Sequence, residues 1–161
     1  MNIKNTLLST AAALILAPAA SFAADFPVTV SVEAVIPAAN GLQITPVNAW
    51  DSITQNFSWD IANQDLKPIS QQMDMKSNAA IHGYLTTAAA LTSGANSLPL
   101  TVVVNGKPLA VGAADKVEIL TSVEAAASKR VAVEISTTKP SGGYVEGTYT
   151  GQAYMMFEST P

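Results

Sequence analysis

The sequence predicts an all-β domain, a sandwich of short antiparallel strands packed in two facing layers. Apolar and polar residues alternate along several segments, which is typical of strands with one buried face. Two β-rich runs flank the dipeptide Asn105-Gly106, which favours a two-residue hairpin turn. Clusters of glycine, proline, asparagine and serine separate these segments and predict turns between them. The pattern indicates about seven short strands in one domain.

The first predicted strand has one apolar edge and ends before Pro37. Its bulky apolar residues stand at every second position: Phe26, Val28, Val30 and Val32. Pro46 interrupts the short segment that follows, and the next extended stretch is less regular than the others. These and two clearer strands are expected at residues 42–47, 53–59, 69–75 and 79–86.

The second half of the chain begins with a predicted hairpin over residues 98–111, turning at Asn105-Gly106. Residues 123–127 favour helix locally, but five residues are too few to hold a helix alone. Another half-buried strand is expected at residues 131–136. The last strand is expected to run from about residue 147 to residue 158. One face of it carries Tyr149, Gly151, Ala153, Met155 and Phe157.

The N-terminus has the three parts of an export signal. Lys4 supplies a positive charge, residues 7–16 are mostly apolar, and Ser21 and Ala23 are the small residues that a signal peptidase reads. Cleavage after Ala23 is therefore expected. The alternative is a retained membrane anchor, but the apolar stretch is much shorter than the roughly 20 residues that span a bilayer.

Composition limits the classes of partner and the means of stabilisation. The chain has a net charge of −4, or about −5 once Lys4 is removed, and it has no basic cluster, so nucleic acid is not an expected partner. Cysteine is absent from an exported chain, so its core or partner chains must stabilise it without disulfides. Only 12% of residues are charged, which suits closely neighboured surfaces better than a freely soluble enzyme.

The residues that usually carry chemistry are scarce. His82 is the single histidine and lies in a predicted strand, so a structural role is expected rather than metal binding or proton transfer. No nucleophile elbow, phosphate loop or calcium loop occurs, and the acidic residues are scattered singly. Trp50 and Trp59 could stack on a sugar, although burial in the core is the favoured interpretation. We therefore expect no catalytic residue, cofactor or metal site.

The position of the first strand suggests a role beyond the sandwich. Signal cleavage would leave it as a free end that could pair with another chain, with alternate side chains filling pockets there. A domain that lends a strand must also receive one, and repeated head-to-tail exchange builds a filament. The alternative is an ordinary first strand of its own sandwich.

Three segments together resemble the major pilins of alpha-class (class 5) chaperone–usher fimbriae, which include colonisation-factor fimbriae and cable pili. Residues 28–33, followed by a proline and Leu42-Gln43, are similar to the N-terminal donor strand of that family. Residues 98–109 resemble its proline-led strand, glycine turn and return strand. Residues 147–157 resemble its closing strand, in which glycine, tyrosine and glycine precede alternating apolar residues. The absence of cysteine agrees with that class.

The resemblance implies an incomplete immunoglobulin-like sandwich that is completed by a donated strand. Residues 1–23 would be the signal, residues 24–37 the donor strand and residues 38–161 the pilin domain. The implied donor side chains include Val28, Val30 and Val32. The groove would be bordered by residues 149–157, and a periplasmic chaperone would first lend a strand beside this C-terminal strand. The implied partners are identical subunits, a periplasmic chaperone, an outer-membrane usher and a tip adhesin, and the implied location is a cell-surface fimbria.

Two other functions stay open at this point. The chain could be a binding module, either a glycan-binding adhesin or a secreted lectin, although an adhesin usually needs a binding domain beside its pilin domain. It could also be a periplasmic enzyme, which the missing catalytic groups disfavour. A structural shaft subunit is the preferred interpretation.

Overall fold

Twelve strands and one short α-helix lie between Gly41 and Thr160, the residues that the computed structural model describes. The predicted signal and the predicted strand of Phe26, Val28, Val30 and Val32 lie outside this range. The strands are β1 (Gln43–Pro46), β2 (Ser58–Asp60), β3 (Asp65–Lys67), β4 (Ile69–Lys76), β5 (Ala80–Leu85), β6 (Ala90–Ser93), β7 (Asn96–Val104), β8 (Lys107–Pro108), β9 (Val117–Leu120), β10 (Lys129–Thr137), β11 (Thr150–Gln152) and β12 (Met155–Thr160), and helix α1 spans Ser122–Ala126.

The strands form a larger and a smaller antiparallel sheet, which confirms the all-β prediction. The larger sheet has the order β1-β4-β10-β7-β6-β11, with β8 paired to β7, and the smaller has the order β12-β5-β9. Strands β2 and β3 pair separately as a short hairpin. Alternation explains the core, since Met73 and Met75 of β4 and Val131 and Val133 of β10 are buried while their neighbours along each strand are more exposed.

The core is closed from the other side by the smaller sheet. Ile81 of β5 and Ile119 and Leu120 of β9 are fully buried, as are Val102 and Val104 of the larger sheet. Burial of such side chains contributes about 1.5–3 kcal/mol each before ordering costs, so the core does not depend on disulfides.

A tight turn at residues 77–79 carries the chain from β4 in one sheet to β5 in the other. Ser77 is fully buried there, and its Oγ lies 2.6 Å from Ser159 Oγ of β12 and accepts the Ala79 amide at 3.1 Å. The Ser77 amide donates to the carbonyl of Ala125 in α1. The turn therefore joins both sheets and the helix.

The hairpin prediction is confirmed, because Asn105 and Gly106 both have positive φ, 50° and 76°, between β7 and β8. Residues 123–127 were expected to be too short for a lasting helix, yet α1 forms. Its N-cap Thr121 accepts the Glu124 amide while the Glu124 carboxylate accepts the Thr121 amide, a reciprocal capping box.

The predicted single last strand is wrong in one respect. Residues 150–152 form β11, which pairs with β6 in the larger sheet, whereas residues 155–160 form β12, which pairs with β5 in the smaller sheet. The chain changes sheets at Ala153 and Tyr154. Gly151 therefore belongs to a different sheet from Met155 and Phe157, and Tyr149 precedes β11, outside both sheets.

The strand directions give the domain two opposite ends. Strand β4 starts beside the β2–β3 hairpin and finishes at the turn at residues 77–79, next to α1 and Gly41. We name these the hairpin end, with the β2–β3 hairpin and the loop at residues 138–149, and the helix end, with α1 and Gly41. Between Gly41 and Thr160, no helix has the length and apolar character that a bilayer crossing requires.

Candidate strand-acceptor groove

Each sheet ends in a strand that has one unpaired edge within residues 41–160. Strand β1 forms one edge of the larger sheet and β12 one edge of the smaller, while β11 and β9 form the other edges. The Asn105 side-chain amide donates to the Ile119 carbonyl at 2.9 Å, which places β9 beside the β7–β8 turn. Strand β12, at the other edge of its sheet, therefore lies on the same side of the sandwich as β1. The bond between Ser77 and Ser159 agrees with this placement.

Apolar side chains from both end strands pack on the core without being fully covered. Leu42 and Ile44 accompany β1, and Met155 and Phe157 belong to β12. All four are half-buried, whereas Met75, the partner of Ile44 on β4, is fully buried. A sandwich whose core is half-covered along one side has the form of an acceptor for an additional strand.

A cavity of about 470 Å³ lies where this groove reaches the hairpin end. One wall is the segment from Trp50 to Phe57, and the opposite wall is the segment from Gly151 to Met155. Its floor is apolar, with Ile69, Leu100 and Ile135 contributed by the larger sheet.

The first wall is held by hydrogen bonds. The indole Nε1 of Trp50 donates to the Gln72 carbonyl at 2.8 Å. The Gln55 side-chain amide donates to the Trp50 carbonyl, and Gln71 donates to Gln55 Oε1, both also at 2.8 Å. These bonds keep the buried indole on the sheet and fix the width of the cavity mouth.

The five predicted groove residues do not share one environment. Gly151, Ala153 and Met155 line the cavity. Phe157 lies further toward the helix end, opposite Gly83 of β5. Tyr149 instead contributes to a second cavity, at the hairpin end, and its hydroxyl donates to the Val145 carbonyl.

Gly151 allows a close backbone approach within its own chain. A Cβ built on Gly151 would lie 2.0 Å from the Ala90 carbonyl oxygen of β6. The missing side chain is thus required by the β6–β11 pairing.

Polar side-chain bonds are concentrated in the second half of β12. Lys116 forms an ion pair with Glu158, and His82 Nδ1 lies 3.2 Å from Thr160 Oγ1. His82 is half-buried within its strand. Within residues 41–160, no cluster of three or more histidine, cysteine or acidic side chains could hold a metal ion.

The two tryptophans differ in burial, so the expectation of core positions holds only for Trp50. Trp50 is 6% exposed, whereas Trp59 on the β2–β3 hairpin is 48% exposed. The Trp59 ring meets Tyr144 edge to face, with centroids 5.5 Å apart.

The Tyr144 hydroxyl donates to Asp65 Oδ1 at 2.6 Å. Burial, and then this hydrogen bond, raise the pKa of Tyr144 to about 12. The same bond is the largest cause of the lowered pKa of Asp65.

Sequence reasoning missed the contribution of β1 and of Trp50 to the groove. Leu42 and Ile44 were assigned to a short strand, but their sequence does not reveal that the strand ends a sheet. That property depends on which strands pair, which no local pattern contains.

Comparisons with known proteins agree with this geometry. Residues 27–158 match the family described as CS1 type fimbrial major subunit. Among solved structures, the fold is similar to the CooA pilin subunit from enterotoxigenic Escherichia coli, with a TM-score of 0.56 and 14% identity over 73% of this chain and 87% of that one. The search of curated proteins finds no match. The chain belongs to the CS1 type fimbrial major subunit family and is a structural subunit of a cell-surface filament built from identical copies.

Proposed function

We propose that this subunit polymerises by donor-strand exchange, with residues 24–37 of one copy filling the groove between β1 and β12 of the next. The observation that carries the proposal is the placement of two end strands, each with an unpaired edge within residues 41–160, on the same side of the sandwich. An inserted strand would pair with backbone groups at these edges and cover the half-buried apolar side chains between them.

The donor segment has the composition that such a groove requires. Phe26, Val28, Val30 and Val32 stand at alternate positions, and burying each contributes about 1.5–3 kcal/mol before ordering costs. An unfilled groove would instead expose sheet edges, which are sites of aggregation. The groove therefore needs an occupant from export onward.

The steps before polymerisation follow from that need. A periplasmic chaperone lends a strand to the groove after cleavage behind Ala23, and an outer-membrane usher exchanges it for the next subunit. A tip adhesin ends the filament. In this scheme the subunit is structural and not enzymatic, and the family assignment supports a shaft subunit over the glycan-binding alternative.

The test compares two aspartate substitutions in the donor segment. Val30→Asp places a carboxylate in an apolar groove, at a cost of several kcal/mol, which is comparable to the contribution of one donor valine. Thr29→Asp places the same charge on the opposite face of the strand, where it keeps its water. We expect Val30→Asp to abolish filaments in electron micrographs and Thr29→Asp to retain them.

Chaperone co-purification is the folding control, since neither change alters the groove that the chaperone fills. Both variants should be exported and captured. Equal filament yields from the two would contradict donation with this face inward.

A further inference from the structure

The hairpin end carries an exposed apolar patch that the groove does not use. Trp59, Ile61 and Val145 are 48%, 83% and 56% exposed. Trp59 and Val145 also line the second cavity, of about 380 Å³, with Leu66 and Tyr144. Grouped apolar side chains of this kind on a surface mark an interaction site.

The patch is held rigidly. Tyr144 contacts Trp59 and bonds to Asp65, which joins the loop at residues 138–149 to both strands of the hairpin. Lys139 Nζ adds a bond to the Asn63 carbonyl at 3.3 Å. A preorganised surface loses little conformational entropy when a partner covers it.

The direction of the chain identifies that partner, if the proposed strand exchange holds. The N-terminal segment leads into Gly41, the first residue that the structure describes, which lies at the helix end beside Asn78. Only residues 38–40 separate the predicted donor segment from Gly41, a span of roughly 10 Å. Donor and acceptor domains are therefore neighbours.

Polymer geometry then selects the end at which a donor enters. The groove along β12 runs from Met155 at the hairpin end to Thr160 at the helix end. The donor segment leads out of its own domain at the helix end. If it also entered the acceptor at the helix end, each helix end would have to face two others. One would belong to the copy that receives its strand and the other to the copy that donates a strand to it. Entry at the hairpin end gives one repeating contact, which can extend indefinitely.

We propose that the patch of Trp59, Ile61 and Val145 packs against the helix end of the neighbouring copy whose strand fills the groove. The helix end has an apolar counterpart in Val123 of α1, which is 80% exposed. This contact adds a second junction between successive subunits, separate from the donated strand. It rests on the proposed donor-strand exchange.

The experiment uses cysteine pairs, since the chain has no cysteine of its own. Filaments are assembled from Val123→Cys combined with Ile61→Cys, and from Val123→Cys combined with Val145→Cys. After oxidation they are boiled without reductant and separated by electrophoresis. A ladder of covalent multimers is expected from at least one of the pairs, and each single variant should give no ladder. The matched control combines Val123→Cys with Met156→Cys, which is 45% exposed on β12 and should give none.

Electrophoresis of unoxidised filaments without heating distinguishes the end-to-end contact from the donor-strand exchange on which it rests. Multimers that dissociate on boiling report strand exchange. If they persist while neither cysteine pair gives a covalent ladder, the end-to-end contact is wrong and strand exchange stands. If they are absent from native filaments, strand exchange itself fails.

Tryptophan fluorescence gives a second measurement without substitution. The chain has two tryptophans, and Trp50 is buried, so acrylamide should quench mainly Trp59 in a monomer. We expect quenching to be lost on filament assembly. Undiminished quenching in filaments would overturn the proposal. Quenching that a soluble glycan suppresses in filaments would also overturn it, because the patch would then be a sugar-binding surface.

Discussion

The Phe157 ring of β12 lies directly on Gly83 of β5, and a Cβ built on that glycine would be 2.9 Å from Phe157 Cε1. Ile119 Cγ1 would lie 3.2 Å from the same Cβ. The glycine thus lets the ring settle on the small sheet, which fixes one wall of the groove.

Gly83→Ala should therefore destabilise the domain by about 1–3 kcal/mol, because the added methyl overpacks a filled core. Urea unfolding is best measured on a monomer in which residues 24–37 are moved behind residue 161 through a flexible linker. Gly142→Ala is the matched control, since its Cβ would meet no atom within 4 Å. Equal midpoints for the two variants would contradict the packing argument.

Acid should weaken the helix end through Glu124. Its hydrogen bond with Lys129, and then those with Thr121, lower its pKa from 4.5 to about 2. A lowered folded-state pKa gives stability that is complete above pH 4.5 and is lost as the pH falls toward about 2. Glu124→Gln should lack this contribution. Its deficit in unfolding free energy relative to the unsubstituted protein should therefore shrink as the pH falls across that range. A deficit that stays constant would show that charge is not involved.

Alkali should weaken the hairpin end, through Tyr144. Its pKa is raised to about 12, so stability from its neutral hydroxyl is present below pH 10 and is lost as the pH rises through about 12. Ultraviolet titration of the folded monomer should show one tyrosine ionising near that upper value. Tyr144→Phe should remove this step, and Tyr154→Phe should retain it. If the step persisted in Tyr144→Phe, another tyrosine would be responsible for it.

Processing offers a direct check on the export signal. N-terminal sequencing of surface fimbriae should read Ala24-Asp25-Phe26, since Ser21 and Ala23 are the small residues before the cleavage point. A mature chain that begins at Met1 would overturn both export and the free donor strand.

Local features were predicted well from sequence because they depend on neighbouring residues. The Asn105-Gly106 turn is an example, since positive φ at both positions is a property of that dipeptide. The α1 cap could also have been found, because Thr121 and Glu124 have the spacing of a capping box. Strand β9 was not predicted, because it lacks the alternation that marks the other strands. Its adjacent Ile119 and Leu120 are both fully buried, which breaks the alternation.

Features that depend on strand partners were not predictable. The uninterrupted alternation of residues 147–158 gives no sign that the chain leaves one sheet for the other at Ala153 and Tyr154. The exposure of Trp59 likewise follows from its place on a separate hairpin, which hydrophobicity alone does not reveal. Of the residues predicted to border the groove, Gly151, Ala153 and Met155 line the cavity at the hairpin end, and Tyr149 lines the second cavity.

The pairing of β12 with β5 also determines how a subunit would resist pulling. Six consecutive residue pairs, from Met155↔Leu85 to Thr160↔Ala80, connect the two strands, and their hydrogen bonds run across the strand direction. Tension transmitted along a donated strand would load these bonds in shear, so all of them share the force and none opens first. A chain without disulfides can in this way carry a mechanical load through its backbone pairing.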